Sequence, residues 1–166
     1  MEPPIRKQTR LQKFNYSESG AYFLTICTQN KEHLLSDVRV GAGVLDGPEI
    51  RLTEFGKYVD AQIAEIDRVY TDISIDRYVI MPNHVHLLIS ICADGPSGTP
   101  APTNARLPTL VSVFKRFTNQ KCGIPLWQRS YHDHIIRDEA DYQKHWQYIE
   151  DNPAKWSEDE YYTENE

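Results

Sequence analysis

The sequence predicts an α+β domain of the ferredoxin-like, split βαβ type, a sandwich built on a βαββαβ antiparallel sheet. Three observations carry that expectation. Alternating or β-branched runs and amphipathic runs follow one another in the order strand, helix, strand, strand, helix, strand. The two central strands are joined only by Pro82-Asn83, which is tight-turn chemistry. One more amphipathic stretch follows the last strand, so an additional C-terminal helix is left to cover the sheet face that two crossover helices leave bare.

Each element has a local reason. AYFLTICT (21–28) is β-branched and aromatic and reads as a strand. VRVGAGVLDGPEIRL (38–52) is interrupted by Gly and Pro and reads as a hairpin excursion. Thr53 can cap a helix on which Phe55, Val59, Ile63 and Ile66 recur at helical spacing. ISIDRYVIM (73–81) and HVHLLISI (84–91) are the paired strands on either side of the turn. ADGPSGTPAPTNARLP (93–108) is loop composition, after which Thr109 can cap a second helix with Leu110, Val113, Phe114 and Phe117 on one face, closed by Gly123. PLWQRSYHDHIIR (125–137) reads as a strand, and DEADYQKHWQYIEDN (138–152) as a third helix stopped by Pro153.

A chain of 166 residues is long enough for one self-supporting core. Cys27, Cys92 and Cys122 are odd in number and lack paired spacing, which argues against a disulfide framework or a cysteine zinc site and suggests the cytoplasm. No apolar run approaches membrane-spanning length, so no membrane partner is expected. The net charge of −6 argues against nucleic acid when taken whole. Five of the acids, however, lie in the last ten residues, SEDEYYTENE, and the remainder is close to neutral. Two stretches are locally basic, one with Arg6, Lys7, Arg10 and Lys13, the other with Lys115, Arg116, Lys121, Arg129 and Arg137. The plain reading of both is solvated surface.

The chemistry concentrates in IMPNHVHLLIS (80–90). Strand alternation sends Val85, Leu87, Ile89 and Ile91 to one face and His84, His86, Leu88 and Ser90 to the other. Two imidazoles side by side can share one metal ion; they can equally be a hydrogen-bonded pair. On the last helix Asp141, His145, Tyr148 and Asn152 form one stripe, and Tyr142, Trp146 and Ile149 form an apolar stripe beside it. Packed down by the second stripe, that helix can bring Tyr148 and Asn152 to the histidines. Individually, Tyr148 also reads as a boundary residue and Asn152 as a helix end.

In GAYFLTICT, YVIMPNHVHLLI, WQRSYHDHIIR and DYQKHWQYIEDNPAKW the chain resembles the single-tyrosine HUH transposases, most closely the REP-associated tyrosine transposases of bacteria. The resemblance spans about residues 5–156, leaving out the hairpin excursion, the Pro-rich loop and the acidic tail. It divides the chain into a transposase-like catalytic domain, 1–156, and an acidic tail, 157–166. It implies an enzyme that cuts single-stranded or hairpin DNA and rejoins it through a 5′-phosphotyrosine. His84 and His86 match the family's metal ligands, Tyr148 its nucleophile, and Asn152 the polar residue four positions later, where the insertion-sequence branch has glutamine. Softness favours manganese or zinc for such nitrogen and oxygen donors, whereas the resemblance implies magnesium or manganese. Arg6, Lys7, Arg10, Lys115, Arg116, Arg129 and Arg137 become candidate DNA-backbone contacts, and Trp127 and Tyr131 candidate base-stacking residues. His132, Asp133 and His134 are not assigned to the metal. A homodimer or a monomer is compatible with the resemblance. Two rival functions are a non-cleaving nucleic-acid-binding module and a water-activating metallonuclease.

Overall fold

The computed structural model describes residues 20–41, 47–92 and 106–164. Its elements are β1 (Gly20–Cys27), β2 (Ser36–Arg39), β3 (Glu49–Leu52), α1 (Glu54–Val69), β4 (Ile73–Ile80), β5 (His84–Ile91), α2 (Arg106–Cys122), β6 (His132–Ile135) and α3 (Glu139–Asp151). Four strands form one sheet in the order β4-β5-β1-β6, with every neighbouring pair antiparallel. The ferredoxin-like expectation is therefore met, with β2 and β3 as a separate hairpin.

Side-chain alternation builds two cores on the two sheet faces. Tyr22, Leu24 and Ile26 of β1 and Val85, Leu87, Ile89 and Ile91 of β5 face Val59, Ile63 and Ile66 of α1 and Leu107, Leu110, Val111 and Phe114 of α2. Burying each such aliphatic side chain contributes roughly 1.5–3 kcal/mol. The opposite face carries a smaller core in which Val79, Met81 and Leu88 meet Ile149 of α3, with Tyr142 and Trp146 packed alongside. The third helix thus lies on the face predicted for it, held by its predicted apolar stripe. Tyr142 adds a hydrogen bond from its hydroxyl to Asp76 Oδ2 (2.9 Å), and Arg77 pairs with Glu150.

Caps set the helix boundaries. Thr53 Oγ1 accepts from the Gly56 N–H at 3.1 Å and donates to the Leu34 carbonyl at 2.5 Å, while the Thr53 N–H donates to the Leu35 carbonyl at 3.0 Å. Gly56 has to be glycine for that contact, because a Cβ there would lie 1.9 Å from the Leu35 carbonyl oxygen. Asp138 caps α3 by accepting from the Asp141 N–H at 2.8 Å. Gly123, with φ +71°, ends α2 in the left-handed region.

Two boundaries differ from expectation. Helix α2 begins at Arg106, not after Thr109, because Pro108 falls in the first turn, where no N–H is required. The predicted strand 125–137 forms a continuous ladder with β1 only over His132–Ile135, with an isolated bridge between Trp127 and Thr28 upstream. Upstream, Leu126 and Trp127 turn into the core, and Trp127 Nε1 donates to Thr118 Oγ1 at 2.7 Å. Trp127 and Tyr131 are each 5% exposed and serve as core residues, which corrects their reading as base-stacking platforms. Among the described residues no helix is long and apolar enough to cross a membrane.

Candidate active site

Strand register aligns the polar residues of the second sheet face. His84 and His86 on β5 pair with Cys27 and Thr25 on β1, and Thr25 and Phe23 pair in turn with His132 and His134 on β6. Period-two alternation therefore places His86, Thr25 and His132 in one row and Leu88, Phe23 and His134 in the next.

His84 and His86 are 0% and 1% exposed, and their Nε2 atoms approach to 3.0 Å. Each Nδ1 is already engaged. His84 Nδ1 lies 2.8 Å from Asn83 Oδ1, and the Asn83 amide nitrogen donates to the Tyr161 carbonyl at 2.8 Å. The Asn83 oxygen is therefore the acceptor, His84 carries its proton on Nδ1, and its Nε2 lone pair points at His86. His86 Nδ1 lies 2.8 Å from Thr25 Oγ1, a hydroxyl that can donate or accept. His86 can thus switch between donating Nε2–H to His84 and presenting a second lone pair beside the first. Burial pushes the His84 imidazole down to about 4 and His86 well below its ordinary value. Both are neutral at pH 7, the form that ligates a metal.

Helix α3 brings Tyr148 to this pair within the same chain. Its ring centroid lies 5.3 Å from that of His86 and 5.8 Å from that of Phe23. Tyr148 is 39% exposed on a cavity of about 600 Å³ that it shares with Phe23, Thr25, His86, His134 and His145. Burial, with Asp159 and Glu160 nearby, pushes its phenol up to about 12. One turn on, Asn152 is buried, and its Nδ2 donates to Asp159 Oδ2 at 2.6 Å. Asn152 Oδ1 is buried without a hydrogen-bond partner.

That orphaned oxygen and the convergent imidazoles fit a divalent cation. Adjacent ligands of an octahedron with bonds of about 2.1 Å lie about 3 Å apart, close to the observed nitrogen separation. A buried carboxamide oxygen left unpaired costs roughly 1–3 kcal/mol, which a metal bond would offset.

Sequence reasoning missed Asp159 and Tyr161. Asp159 Oδ2 is 3.9 Å from His84 Nε2, and His84, His86 and Asp159 form a group able to hold a metal. The Tyr161 ring lies 4.8 Å from His84, and burial, then Glu160, raises its phenol. The available signal was aromatic: Tyr161 and Tyr162 are out of place in a solvated acidic tail, and Trp156, just before it, is buried against His84.

Of the candidate DNA contacts among the described residues, Lys115, Arg116 and Arg129 share one groove and Arg137 lies apart from it. Lys115 Nζ donates to the carbonyls of Gln128 (2.8 Å) and Ser130 (3.1 Å), so it fastens that loop to α2. Arg116 and Arg129 are exposed on a groove beside Lys115, and Arg137 is exposed at the start of α3. Arg6, Lys7 and Arg10 lie outside the described residues. His145 does not join the His84 pair; its Nδ1 lies 3.1 Å from Asp141 Oδ1, and His134 Nε2 lies 2.8 Å from Asp141 Oδ2.

An uncharacterised protein of Haemophilus influenzae is 34% identical over 179 aligned residues, covering 96% of this chain and 94% of that protein. The chain belongs to that protein's family. No family model matches it. Among solved structures, a REP-associated tyrosine transposase bound to a REP hairpin superposes with a TM-score of 0.62 at 20% identity, over 89% of this chain and 73% of that one. This family therefore has the fold of the REP-associated tyrosine transposases. A structure of a candidate transposase from Deinococcus radiodurans R1 is 18% identical over 86% of this chain and 97% of its own, with a TM-score of 0.47, too distant in shape to bear on the site.

Proposed function

We propose that the protein is a metal-dependent transposase that nicks and rejoins single-stranded or hairpin DNA through Tyr148. The observation that carries this reading is the meeting, within one chain, of an accessible phenol with two neutral imidazoles whose Nε2 atoms lie 3.0 Å apart.

His84 Nε2, His86 Nε2 and Asn152 Oδ1 would hold the ion, magnesium or manganese. When bound it supplies charge stabilisation to the non-bridging oxygens of the scissile phosphate. The remaining steps belong to the chain. Tyr148 Oη attacks phosphorus in line, a new O–P bond forms, and the bond to the 3′-oxygen breaks. The phenol loses its proton, the departing 3′-oxygen gains one, and the products are a 5′-phosphotyrosine and a free 3′-hydroxyl. An ordinary phenol is only about 0.1% ionised at neutral pH, a deficit of roughly 4 kcal/mol. Burial and the tail acids deepen it here. Cationic charge at the histidines acts in the opposite sense and lowers the cost of the phenolate. The phosphodiester energy stays in the tyrosine link, so a second 3′-hydroxyl can reverse the step and join strands without ATP.

The His84-to-Asn83 and His86-to-Thr25 contacts orient the rings, as outer-shell partners of metal-bound histidine do. The resemblance of the REP-hairpin-bound structure supports hairpin DNA as the substrate class. Arg116, Arg129 and Arg137 are exposed and available to its phosphates. Incubation with a 5′-extended hairpin oligonucleotide and manganese tests the reading. Wild type is expected to form a covalent protein–DNA adduct that Tyr148→Phe does not form and chelator abolishes. Equal adduct in Tyr148→Phe, or cleavage to a free phosphate without adduct, would overturn it.

A further inference from the structure

A second group of metal-ligating side chains lies on the same sheet face, across the Phe23 ring from the first. His134 of β6 and Asp141 and His145 of α3 each offer one ligand atom, and the three lie within 4.8 Å of one another. The Phe23 ring centroid is 5.0 Å from that of His86 on one side and 4.7 Å from that of His145 on the other. The two groups are separate, and both border the cavity that contains Tyr148.

This second group is organised from three directions. Register with Phe23 fixes His134 on β6. Asp141 and His145 are one helical turn apart, on a helix whose first turn is fixed by the Asp138 cap. The two imidazoles stack nearly parallel, at 4.6 Å and 21°; His134 Nε2 faces the Asp141 carboxylate at 2.8 Å, and His145 Nδ1 lies 3.1 Å from that carboxylate and 2.8 Å from the Asp141 main-chain carbonyl. The Arg137 N–H donates to Asp141 Oδ2 at 3.1 Å, which orients that carboxylate further. Burial opposes ionisation of Asp141, but its contacts with His134, Arg137 and His145 outweigh it and hold the carboxyl below the usual range. A cation here faces the positive end of the α3 dipole, an unfavourable contact. Asp138, Glu139 and Asp141 put three carboxylates in or beside that turn to offset it.

We infer that His134, Asp141 and His145 form a second divalent-metal site, of the zinc class, that fastens the tyrosine helix α3 to the edge strand β6. Two imidazoles and one carboxylate are borderline donors, suited to zinc, cobalt or manganese and poorly suited to magnesium. The required adjustment is small: ligands at bonds of about 2.1 Å sit about 3.4 Å apart around a tetrahedral ion, so the carboxylate contacts of 2.8 Å and 3.1 Å widen by only a few tenths of an ångström. Three protein ligands leave a coordination position for water. Tyr148 follows His145 by three residues, so occupancy of this site restrains the segment that carries the phenol.

Titration of the intact protein with cobalt(II), read by visible absorption and competed by zinc, tests the inference. Wild type is expected to bind two equivalents. Asp141→Asn, which keeps an acceptor for His134 and Arg137, and His134→Ala should each bind one and lose one set of absorption bands. The His84→Ala/His86→Ala double variant should also bind one, with the other set retained. Zinc should raise the melting midpoint of wild type more than that of Asp141→Asn. Wild-type stoichiometry and spectrum in both Asp141→Asn and His134→Ala would overturn the inference, as would a single equivalent lost with His84 and His86. A single equivalent lost only with Asp141 or His134 would uphold this site and instead refute the ion assigned to His84 and His86.

Discussion

Two histidine groups share one sheet face, and burial makes them chemically different. His84 and His86 are essentially inaccessible, neutral, and hydrogen-bonded to the neutral side chains of Asn83 and Thr25. The side chain of His134 is 42% exposed, and it and His145 face a carboxylate at hydrogen-bond distance. The first pair cannot easily gain a proton, so it keeps its lone pairs at neutral pH. In the second, one carboxylate, Asp141, contacts both imidazoles directly and so links strand β6 to helix α3. In the proposed reading the same residue type serves catalysis on one side of Phe23 and fastening on the other.

The sharpest break of this comparison is a pair of substitutions. His86→Ala removes a ligand beside Tyr148, so adduct formation should fall by about 10²–10³-fold or more. His134→Ala should reduce it by no more than about tenfold, through a looser α3. Parallel adduct assays at saturating manganese check this, and equal losses would erase the distinction.

Acid comes next. With His84 at about 4 in the folded chain against about 6.5 unfolded, the unfolded state binds more protons between those values. The contribution is fully present above about pH 6.5 and is lost as pH falls toward 4, on the order of 3 kcal/mol from this residue. His86 acts in the same direction. Urea midpoints of chelated protein at pH 7 and pH 4.5 should show it, and His84→Gln should flatten the difference. Over the same acid range adduct formation should drop as the imidazoles protonate. Toward alkaline pH it should keep rising, because the phenol lies at about 12 before metal binds.

Phe23→Ala should cost about 2–4 kcal/mol of stability and weaken metal binding at both groups, since this ring touches His86 and His145 alike. Cobalt titration and urea melts check both parts. The smallest expected effect is at Tyr142→Phe, where one hydrogen bond to Asp76 on β4 is lost, about 1 kcal/mol. Its adduct rate should stay within a few-fold of wild type.

The legible parts of the molecule were those governed by short periods. Alternation placed His84 and His86 opposite Val85 and Leu87, and helical spacing put Tyr148 beside them, both as found. Asp159 was invisible because its approach to His84 spans 75 positions along the chain and follows no period. The second histidine group was half-visible. Asp141 and His145 share a helix stripe, but His134 reaches them only through the pairing of β6 with β1, a register that no local pattern sets. Strand β6 is shorter than expected: upstream of it Leu126, Trp127 and Tyr131 pack into the core, and only an isolated bridge from Trp127 to Thr28 remains of the ladder.

Peptide mapping of the DNA-linked protein tests the central claim most directly. After reaction with hairpin DNA and manganese, nuclease trimming and proteolysis, mass spectrometry should find a nucleotide joined by its 5′-phosphate to the α3 peptide at Tyr148. Attachment at Tyr142 or Tyr161, or unmodified protein alongside cleaved DNA, would contradict the account.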